Sequence, residues 1–99
     1  MASLPFTLRQ LDVFASLCAT RSFRRSAESL GISQASVSNQ IKALEQQLGV
    51  ALFARRPGQR PTVTSEGMAF LDDLRAFQAA GEALASHRRR AAEAEDPAL

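Results

Sequence analysis

The sequence predicts a mainly α-helical fold in which three short helices and a two-stranded hairpin precede one long helix. Three observations support this prediction. Three apolar periodic segments each follow a Ser or Thr that can cap a helix, and two of these segments end at a glycine. A turn rich in Pro, Gly and Arg then separates two short apolar runs. From residue 65 onward, apolar residues keep helical spacing with no proline before Pro97.

The first helix is predicted over residues 8–20. Thr7 and Gln10 have the spacing of a capping box, in which each side chain satisfies a backbone N–H of the other. The predicted inner face comprises Leu8, Leu11, Phe14, Ala15 and Cys18. The single cysteine is therefore expected to be a buried, reduced thiol, and it excludes an internal disulfide framework.

The second helix is predicted from an N-cap at Ser22 to Leu30. Gly31 follows at the position where a left-handed residue ends a helix. The narrow inner face comprises Phe23, Ala27 and Leu30. Ser33 can cap a third helix only a few residues later, and so short a connection forces two helices to cross steeply. The pair is predicted to be a helix-turn-helix.

The third helix has the clearest periodicity. Its apolar positions are Val37, Ile41, Leu44 and Leu48, at spacings of four, three and four residues, and Gly49 ends it. At about 100° per residue, the opposite side is centred on Asn39. Ala35, Lys42 and Gln46 lie on the same line, and Ser36 and Ser38 flank it.

A hairpin is predicted between residues 51 and 63. A short strand over 51–54 is followed by a turn over 56–60, and residues 61–63 return. The proline in the returning strand indicates an edge position. A hairpin that follows three helices in the chain is interpreted as a wing. We therefore expect a winged helix-turn-helix domain over residues 6–64, with the helix-turn-helix at 23–42 and the wing at 51–63.

The last helix is predicted over residues 65–92, capped by Thr64 or Ser65. Its apolar stripe is too long for the preceding domain to cover, so a second copy of the chain is expected to cover the rest. The expected dimerisation residues are Leu71, Leu74, Phe77, Gly81 and Leu84. The alternative is a frayed helix end. Residues 93–99 are expected to begin an interdomain linker.

Charge is divided unevenly along the chain. Residues 1–60 carry eight Lys or Arg against three acids, a net charge of +5, whereas residues 61–99 carry four against seven, a net charge of −3. A basic N-terminal part suits a polyanionic partner, although an ordinary solvated basic surface has the same composition. The sequence has no apolar run of about 20 residues and no secretory signal pattern, so no membrane partner and a cytoplasmic location are expected.

The residue types required for catalysis are sparse and scattered. His87 is the only histidine, so with one cysteine no metal-ligand cluster can form in the usual pattern. The paired carboxylates at 72–73 and 95–96 fall on predicted solvent faces, without apolar shelter to shift a pKa. No glycine-rich phosphate loop is present. We therefore expect no enzymatic activity and no cofactor.

The exposed side of the third helix instead suits the DNA major groove. Gln34 and Asn39 can each make a bidentate hydrogen-bond pair with adenine, and the methyl group of Ala35 can contact a thymine methyl. The hydroxyls of Ser33, Ser36 and Ser38 can reach bases or phosphates if the backbone lies close, and Lys42 can bind a phosphate. The alternative is a merely solvated helix face. Such faces commonly carry Glu and Lys, however, and this one is largely uncharged.

Arginines surround that helix in the sequence. Arg55, Arg56 and Arg60 stand in the predicted wing, where a thin hairpin can enter a narrow minor groove. Arg24 and Arg25 begin the second helix and are candidates for phosphate contacts. Each of these arginines can equally be a solvated surface charge.

Taken together, these motifs resemble the N-terminal domain and linker helix of the LysR-type transcriptional regulators. The resemblance covers roughly residues 6–90 in the correct order and spacing. The motifs that carry it are Leu8-Arg9-Gln10-Leu11, Ser22-Phe23 through Ala27, Ser33-Gln34 through Ser38, Gln40-Ile41-Lys42, Leu44-Glu45, Leu48-Gly49-Val50, Leu52-Phe53-Ala54-Arg55 and Thr64-Ser65-Glu66-Gly67.

The resemblance implies double-stranded DNA as the partner and a role in bacterial transcription regulation. It assigns base and phosphate contacts to Gln34, Ala35, Ser36, Ser38, Asn39 and Lys42, and the family's wing arginine to Arg55. The long helix would pair antiparallel with its mate, so that two recognition helices face successive major grooves of an interrupted palindrome. A protein-interaction module with little intrinsic DNA affinity is the alternative function.

The sequence departs from the family pattern at four points. Ala35 replaces a common proline, Ser26 a common alanine, and Asn39 a longer basic residue. The family's α/β effector-binding domain would begin where this sequence stops, in Asp96-Pro97-Ala98-Leu99. We therefore expect an excised DNA-binding fragment, in which a small-molecule effector would act only through the domain that is absent.

Overall fold

The computed structural model describes residues 3–95, with side chains described for residues 3–88. Its elements in chain order are α1 (Leu8–Thr20), α2 (Phe23–Leu30), α3 (Gln34–Leu48), β1 (Phe53–Ala54), β2 (Thr62–Val63) and α4 (Ser65–Glu95). The strands form a two-stranded antiparallel sheet in which Phe53 pairs with Val63 and Ala54 with Thr62. The predicted mainly helical order is confirmed. The last four residues of the expected linker lie outside the described residues.

The three short helices begin at the predicted caps. In the capping box of α1, the Gln10 N–H donates to Thr7 Oγ1 at 3.1 Å, and the Thr7 N–H donates to Gln10 Oε1 at 2.9 Å. The hydroxyls of Ser22 and Ser33 accept from the backbone N–H groups of Arg25 and Ser36. Helices α2 and α3 end at Gly31 and Gly49, both left-handed. This chemistry fixes the short connection between α2 and α3.

The core lies between the three short helices and the hairpin. On α3 the buried residues are the predicted Val37, Ile41 and Leu44. On α1 the predicted face was wrong in part: Leu8 is 65% exposed, whereas Val13 and Leu17 are fully buried. Leu8 lies almost opposite Leu17 on the helix at about 100° per residue, so both cannot face the core.

A cluster of phenylalanine rings connects the segment before α1, α1 itself, the hairpin and α4. The Phe14 ring on α1 contacts Phe53 of β1 and Phe70 of α4, at centroid distances of 5.5 and 5.1 Å. Phe6, ahead of α1, meets Phe70 edge to face at 5.9 Å. Such pairs contribute about 0.5–1.5 kcal/mol each beyond area burial. The wing and the start of α4 are therefore packed onto the helix-turn-helix.

The hairpin strands are shorter than the predicted 51–54 and 61–63. The N–H groups of Leu52 and Phe53 donate to the Glu45 carboxylate instead of a strand partner, at 2.7 and 3.2 Å. Pro61 has no N–H to give to the ladder, and its carbonyl oxygen accepts from Arg21 Nε at 3.4 Å. The paired region is consequently two residues in each strand.

Glu45 is therefore expected to hold the wing against α3. Glu45→Ala would leave two backbone N–H groups without their acceptor beside the buried Leu52, at a cost of about 1–3 kcal/mol in the free energy of unfolding. Gln47→Ala, an exposed position on the same helix, is the matched control and should change stability little. Urea unfolding measures both variants, and equal effects would contradict this role for Glu45.

Helix α4 starts at a close backbone contact with the hairpin. Thr64 is its N-cap: Thr64 Oγ1 accepts from the Gly67 N–H at 3.0 Å, while the Thr64 N–H donates to the Leu52 carbonyl at 3.0 Å. This arrangement settles the choice left open between Thr64 and Ser65. It also brings Gly67 so near Leu52 that a Cβ on Gly67 would lie on the Leu52 carbonyl oxygen and 2.7 Å from Val63 Cγ1.

Beyond this junction α4 projects from the domain, and the molecule measures 63 × 30 × 19 Å. Of the predicted dimerisation residues, Leu74 is 4% exposed and belongs to the hydrophobic core of its own chain. Leu71 is half-buried against the same core. Phe77, Gly81 and Leu84 are exposed, Leu84 at 72%. The stripe therefore divides at Leu74 into an inner part and an uncovered outer part.

Candidate nucleic-acid interface

Helix α3 presents a polar face on the side away from the core. Gln34, Ala35, Asn39 and Lys42 are exposed, and Ser36 and Ser38 are half-buried beside them. The opposite side of the helix is anchored by fully buried apolar side chains. Packing therefore fixes the rotation of α3 about its axis, and the face predicted from periodicity is the face that the fold exposes.

The exposed face of α3 itself carries a shallow, open, uncharged groove. The groove is lined by Ser33, Ala35, Ser36, Asn39, Gln40 and Ala43. Ser33 is already engaged, because its hydroxyl oxygen accepts from the Ser36 N–H at 3.0 Å. The Ser33 O–H can still donate to a ligand. The remaining groups offer amide donors and acceptors with small apolar surfaces between them, which is the chemistry of base edges.

Arg55 lies against this face rather than at the tip of the wing. Its guanidinium carbon is 4.4 Å from the centroid of the Phe23 ring, and its Nη1 is 3.5 Å from Ser38 Oγ. A second open cleft, beside the first groove, is lined by Phe23, Gln34, Ala35, Ser38 and Arg55. The structure thus brings residues from α2, α3 and the wing to one place.

The other two wing arginines lie in the turn. The Gln59 N–H donates to the Arg56 carbonyl at 3.0 Å, and Gly58 has a φ of 74°, so the residues between them form a tight turn that requires a left-handed position. Arg56 and Arg60 are exposed at its two ends. The wing therefore carries two solvated cations, separate from the docked Arg55.

Arg24 is placed differently from the wing arginines. Its Nε is 3.2 Å from Glu28 Oε1, in an ion pair whose side chains are 81% and 64% exposed. A pair so exposed contributes at most about 0.5 kcal/mol, so Arg24 can exchange Glu28 for a phosphate at low cost. Arg25 is exposed on the same turn of α2.

The acidic residues of the N-terminal part are kept away from the α3 face or are already bound. Glu28 pairs with Arg24, and Glu45 accepts from the backbone of the wing. Asp12, the third acid of residues 1–60, is exposed on α1. No acid lines either groove beside α3 among the residues that the structure describes. An approaching polyanion therefore meets amides, hydroxyls and guanidinium groups.

Three residues that shape this surface were not singled out for these roles from the sequence. Phe23 was expected only in the core, Glu45 only as a part of the family pattern, and Arg21 not at all. Arg21 ends α1 in a left-handed conformation, with a φ of 52°, at a position that glycine would usually occupy. Its Nε donates a hydrogen bond to the Pro61 carbonyl of the wing. Contacts between residues far apart in the chain leave no periodic pattern in the sequence, so they become visible only in the folded structure.

The hydroxyl of Ser26, the residue that replaces a common alanine of the family, is buried and has a hydrogen-bond partner. Ser26 is fully buried on α2, and its hydroxyl lies 2.8 Å from Thr20 Oγ1. Thr20 Oγ1 also donates to the Ser22 carbonyl and accepts from the Ser22 N–H. This network joins the end of α1 to α2, so the serine costs no unsatisfied buried group.

The structure offers no metal or redox centre in the part of the chain that it describes. No cluster of three His, Cys, Asp or Glu side chains occurs between residues 3 and 88 that would hold a metal ion. Burial raises the pKa of the Cys18 thiol to about 11, and nearby Arg75 offsets this only partly. Helices long and apolar enough to cross a membrane are absent from the described residues.

The fold and the exposed helix together define a winged helix-turn-helix domain of the DNA-binding type. The family model for bacterial regulatory helix-turn-helix proteins of the lysR family matches residues 8–68. The chain belongs to this family, whose members are transcriptional regulators.

Relatives and solved structures agree with this assignment. The chain is 46% identical over 68 residues to a probable RuBisCO transcriptional regulator of Thalassiosira pseudonana, covering 69% of this chain and 22% of that protein. It thus spans about a fifth of the length of the curated relatives it matches.

Two solved DNA complexes contain the same fold. BenM_DBD with benA site 1 DNA matches at a TM-score of 0.81 and 30% identity, over 88% of this chain and 97% of that one. CbnR_DBD bound to DNA matches at a TM-score of 0.80 and 31% identity, over 88% of this chain and 99% of that one. The winged helix-turn-helix prediction is thereby confirmed.

Proposed function

We propose that this chain binds double-stranded DNA sequence-specifically, with α3 in the major groove, as the DNA-binding part of a transcription regulator. The observation that carries the proposal is the uncharged, exposed face of α3 bordered by arginines. The DNA complexes of the two similar domains support it. Binding, not catalysis, is the role of this surface.

In this arrangement the residues divide between base edges and phosphates. Gln34, Ala35, Ser36 and Asn39 face the bases, because they lie on the exposed side near the start of α3. Ser33, Ser38, Lys42 and Arg24 border that side and contact the sugar-phosphate backbone. Arg56 and Arg60, at the wing turn, approach the minor groove or its phosphates.

A second copy of the chain completes the interface. The outer part of α4 leaves Phe77 44% exposed and Leu84 72% exposed, on a helix that extends well beyond its own domain. Pairing of two such helices would cover the apolar stripe and present two recognition helices to the same duplex. The chain therefore acts as a dimer on an interrupted palindrome.

The proposal is tested by titrating the chain with duplex DNA at several salt concentrations. Roughly six phosphate contacts per dimer predict that the binding constant falls about 10³-fold between 50 and 200 mM salt. Duplexes selected from a random pool should bind at least 10³-fold more tightly than unselected ones. Weak binding to every duplex would instead favour a protein-interaction module and overturn the proposal.

Dimerisation is tested on α4 by introducing a charge. Leu84→Glu would place a carboxylate in the apolar stripe and is expected to convert dimers to monomers, as measured by sedimentation equilibrium. Ala79→Glu adds the same charge at an exposed position on the opposite side of α4 and should leave the dimer intact. If both variants sediment as the wild type does, the stripe is not the dimer contact.

A further inference from the structure

Arg55 is held in place before any ligand arrives. Its guanidinium carbon lies over the ring of Phe23, the first residue of α2, at 4.4 Å from the ring centroid. Its one side-chain hydrogen bond within the described residues is the 3.5 Å approach of Nη1 to Ser38 Oγ, which is at the limit of such a bond. The ring therefore supplies most of the positioning, although Arg55 is an exposed residue on a thin hairpin.

This mode of attachment leaves the hydrogen-bonding edges of Arg55 available. A guanidinium attracted to an aromatic ring uses its flat face, whereas its five N–H donors lie in its plane. Apart from the long contact of Nη1 with Ser38, these donors have no hydrogen-bond partner among the described residues, and a phosphate can accept two of them side by side. An ion pair would have occupied these donors, as Glu28 occupies Arg24 Nε.

The guanidinium of Arg55 also lies beside the exposed face of α3. The cleft beside it is lined by Gln34, Ala35 and Ser38 of α3, together with Phe23 and Arg55. Arg55 thus borders the recognition face itself, whereas Arg56 and Arg60 lie in the turn of the wing. A phosphate in this cleft would sit at the rim of the groove that α3 enters.

We propose that Phe23 is a positioning residue for DNA binding. It holds Arg55 at the edge of α3, so that one phosphate on each half-site is bound jointly by the wing and the helix-turn-helix. This inference rests on the proposed DNA-binding function. It gives Phe23, which touches no DNA in this account, an effect on affinity that is independent of base sequence.

The expected effect follows from the cost of ordering a free arginine. A long side chain immobilised on binding lowers affinity by about 3- to 10-fold relative to one that is already fixed. Phe23→Leu, which keeps an apolar side chain but removes the ring, should raise Kd by this factor per subunit on any duplex. Phe23→Tyr keeps the ring and should bind within about twofold of the wild type.

The experiment is a double-mutant cycle between Phe23→Leu and Arg55→Gln on an unselected duplex of about 30 base pairs, followed by fluorescence anisotropy. In the Arg55→Gln background, Phe23→Leu should cause no further loss, because the group that it positions is gone. Arg55→Gln should also reduce the slope of log K against log salt by about 0.9 per subunit. A parallel cycle with Arg56→Gln is the control and should be additive.

The outcomes separate the inference from the function on which it rests. Phe23 packs partly against the core, so thermal melting of each variant accompanies the binding data. Equal losses from Phe23→Leu with and without Arg55 would show a structural effect of Phe23 and overturn the inference. A wild-type chain that binds no duplex in a salt-dependent way would overturn the proposed function itself.

Discussion

Asn39→Ala is expected to remove the preference for one base pair in each half-site while leaving the domain folded. Asn39 is exposed at the centre of the α3 face, and the described residues offer its amide no hydrogen-bond partner. A bidentate contact from such an amide discriminates between bases by about 1–3 kcal/mol, or roughly 5- to 150-fold. Binding-site selection with wild-type and variant chains measures the loss directly.

Gln46→Ala provides a matched control for Asn39→Ala. It removes an amide from the same helix and nearly the same line, two turns farther from the N-terminal end that enters the groove. Its selected sites should equal those of the wild type. If Asn39→Ala also leaves every position unchanged, the proposed orientation of α3 in the groove is wrong.

Gly67→Ala is expected to lower the stability of the chain strongly, because Gly67 is the glycine at which an added Cβ meets other atoms. The new Cβ would meet the backbone oxygen of Leu52, which cannot rotate away and already accepts from the Thr64 N–H. Separating α4 from the hairpin would disturb the packing of Phe70 on Phe14. We expect a loss of about 2–3 kcal/mol, which lowers Tm by roughly 10–20 °C in a domain of this size.

Gly81→Ala is the matched variant, because it adds the same methyl group to the same helix. Nothing lies within 4 Å of a Cβ at Gly81 in the single chain, so alanine should gain up to about 1 kcal/mol from helix propensity. The two variants are compared by thermal melting at one protein concentration, since dimerisation would shift Tm. A similar Tm for both variants would contradict the close contact at Gly67.

The helix boundaries and the exposed face of α3 could be predicted because their causes are local. Ser22, Ser33 and Gly49 act within one turn of the chain, and the four apolar residues of α3 fix its rotation. The prediction for Leu8 was wrong because it rested on local spacing alone. The apolar residues of α1 fit more than one helical face. Packing against the other elements determines that Val13 and Leu17 are buried and that Leu8 is exposed.

The remaining features depend on contacts between residues far apart in the chain. Burial of Leu74 follows from packing of the first turns of α4 against the core, so the uncovered part of the apolar stripe starts later than the spacing of apolar residues indicates. The position of Arg55 depends on a ring 32 positions earlier in the sequence. The sequence predicts a minor-groove contact for this wing arginine, but it does not predict the ring that holds the side chain.

Dimethyl sulfate footprinting of the wild-type chain on a selected duplex tests the central claim most directly. The reagent methylates guanine N7 in the major groove and adenine N3 in the minor groove, so it distinguishes the groove that α3 occupies. Insertion of α3 predicts protection of guanine N7 in two patches about one helical turn or a multiple of it apart. Protection confined to the minor groove, or unprotected N7 at every selected position, would contradict the account.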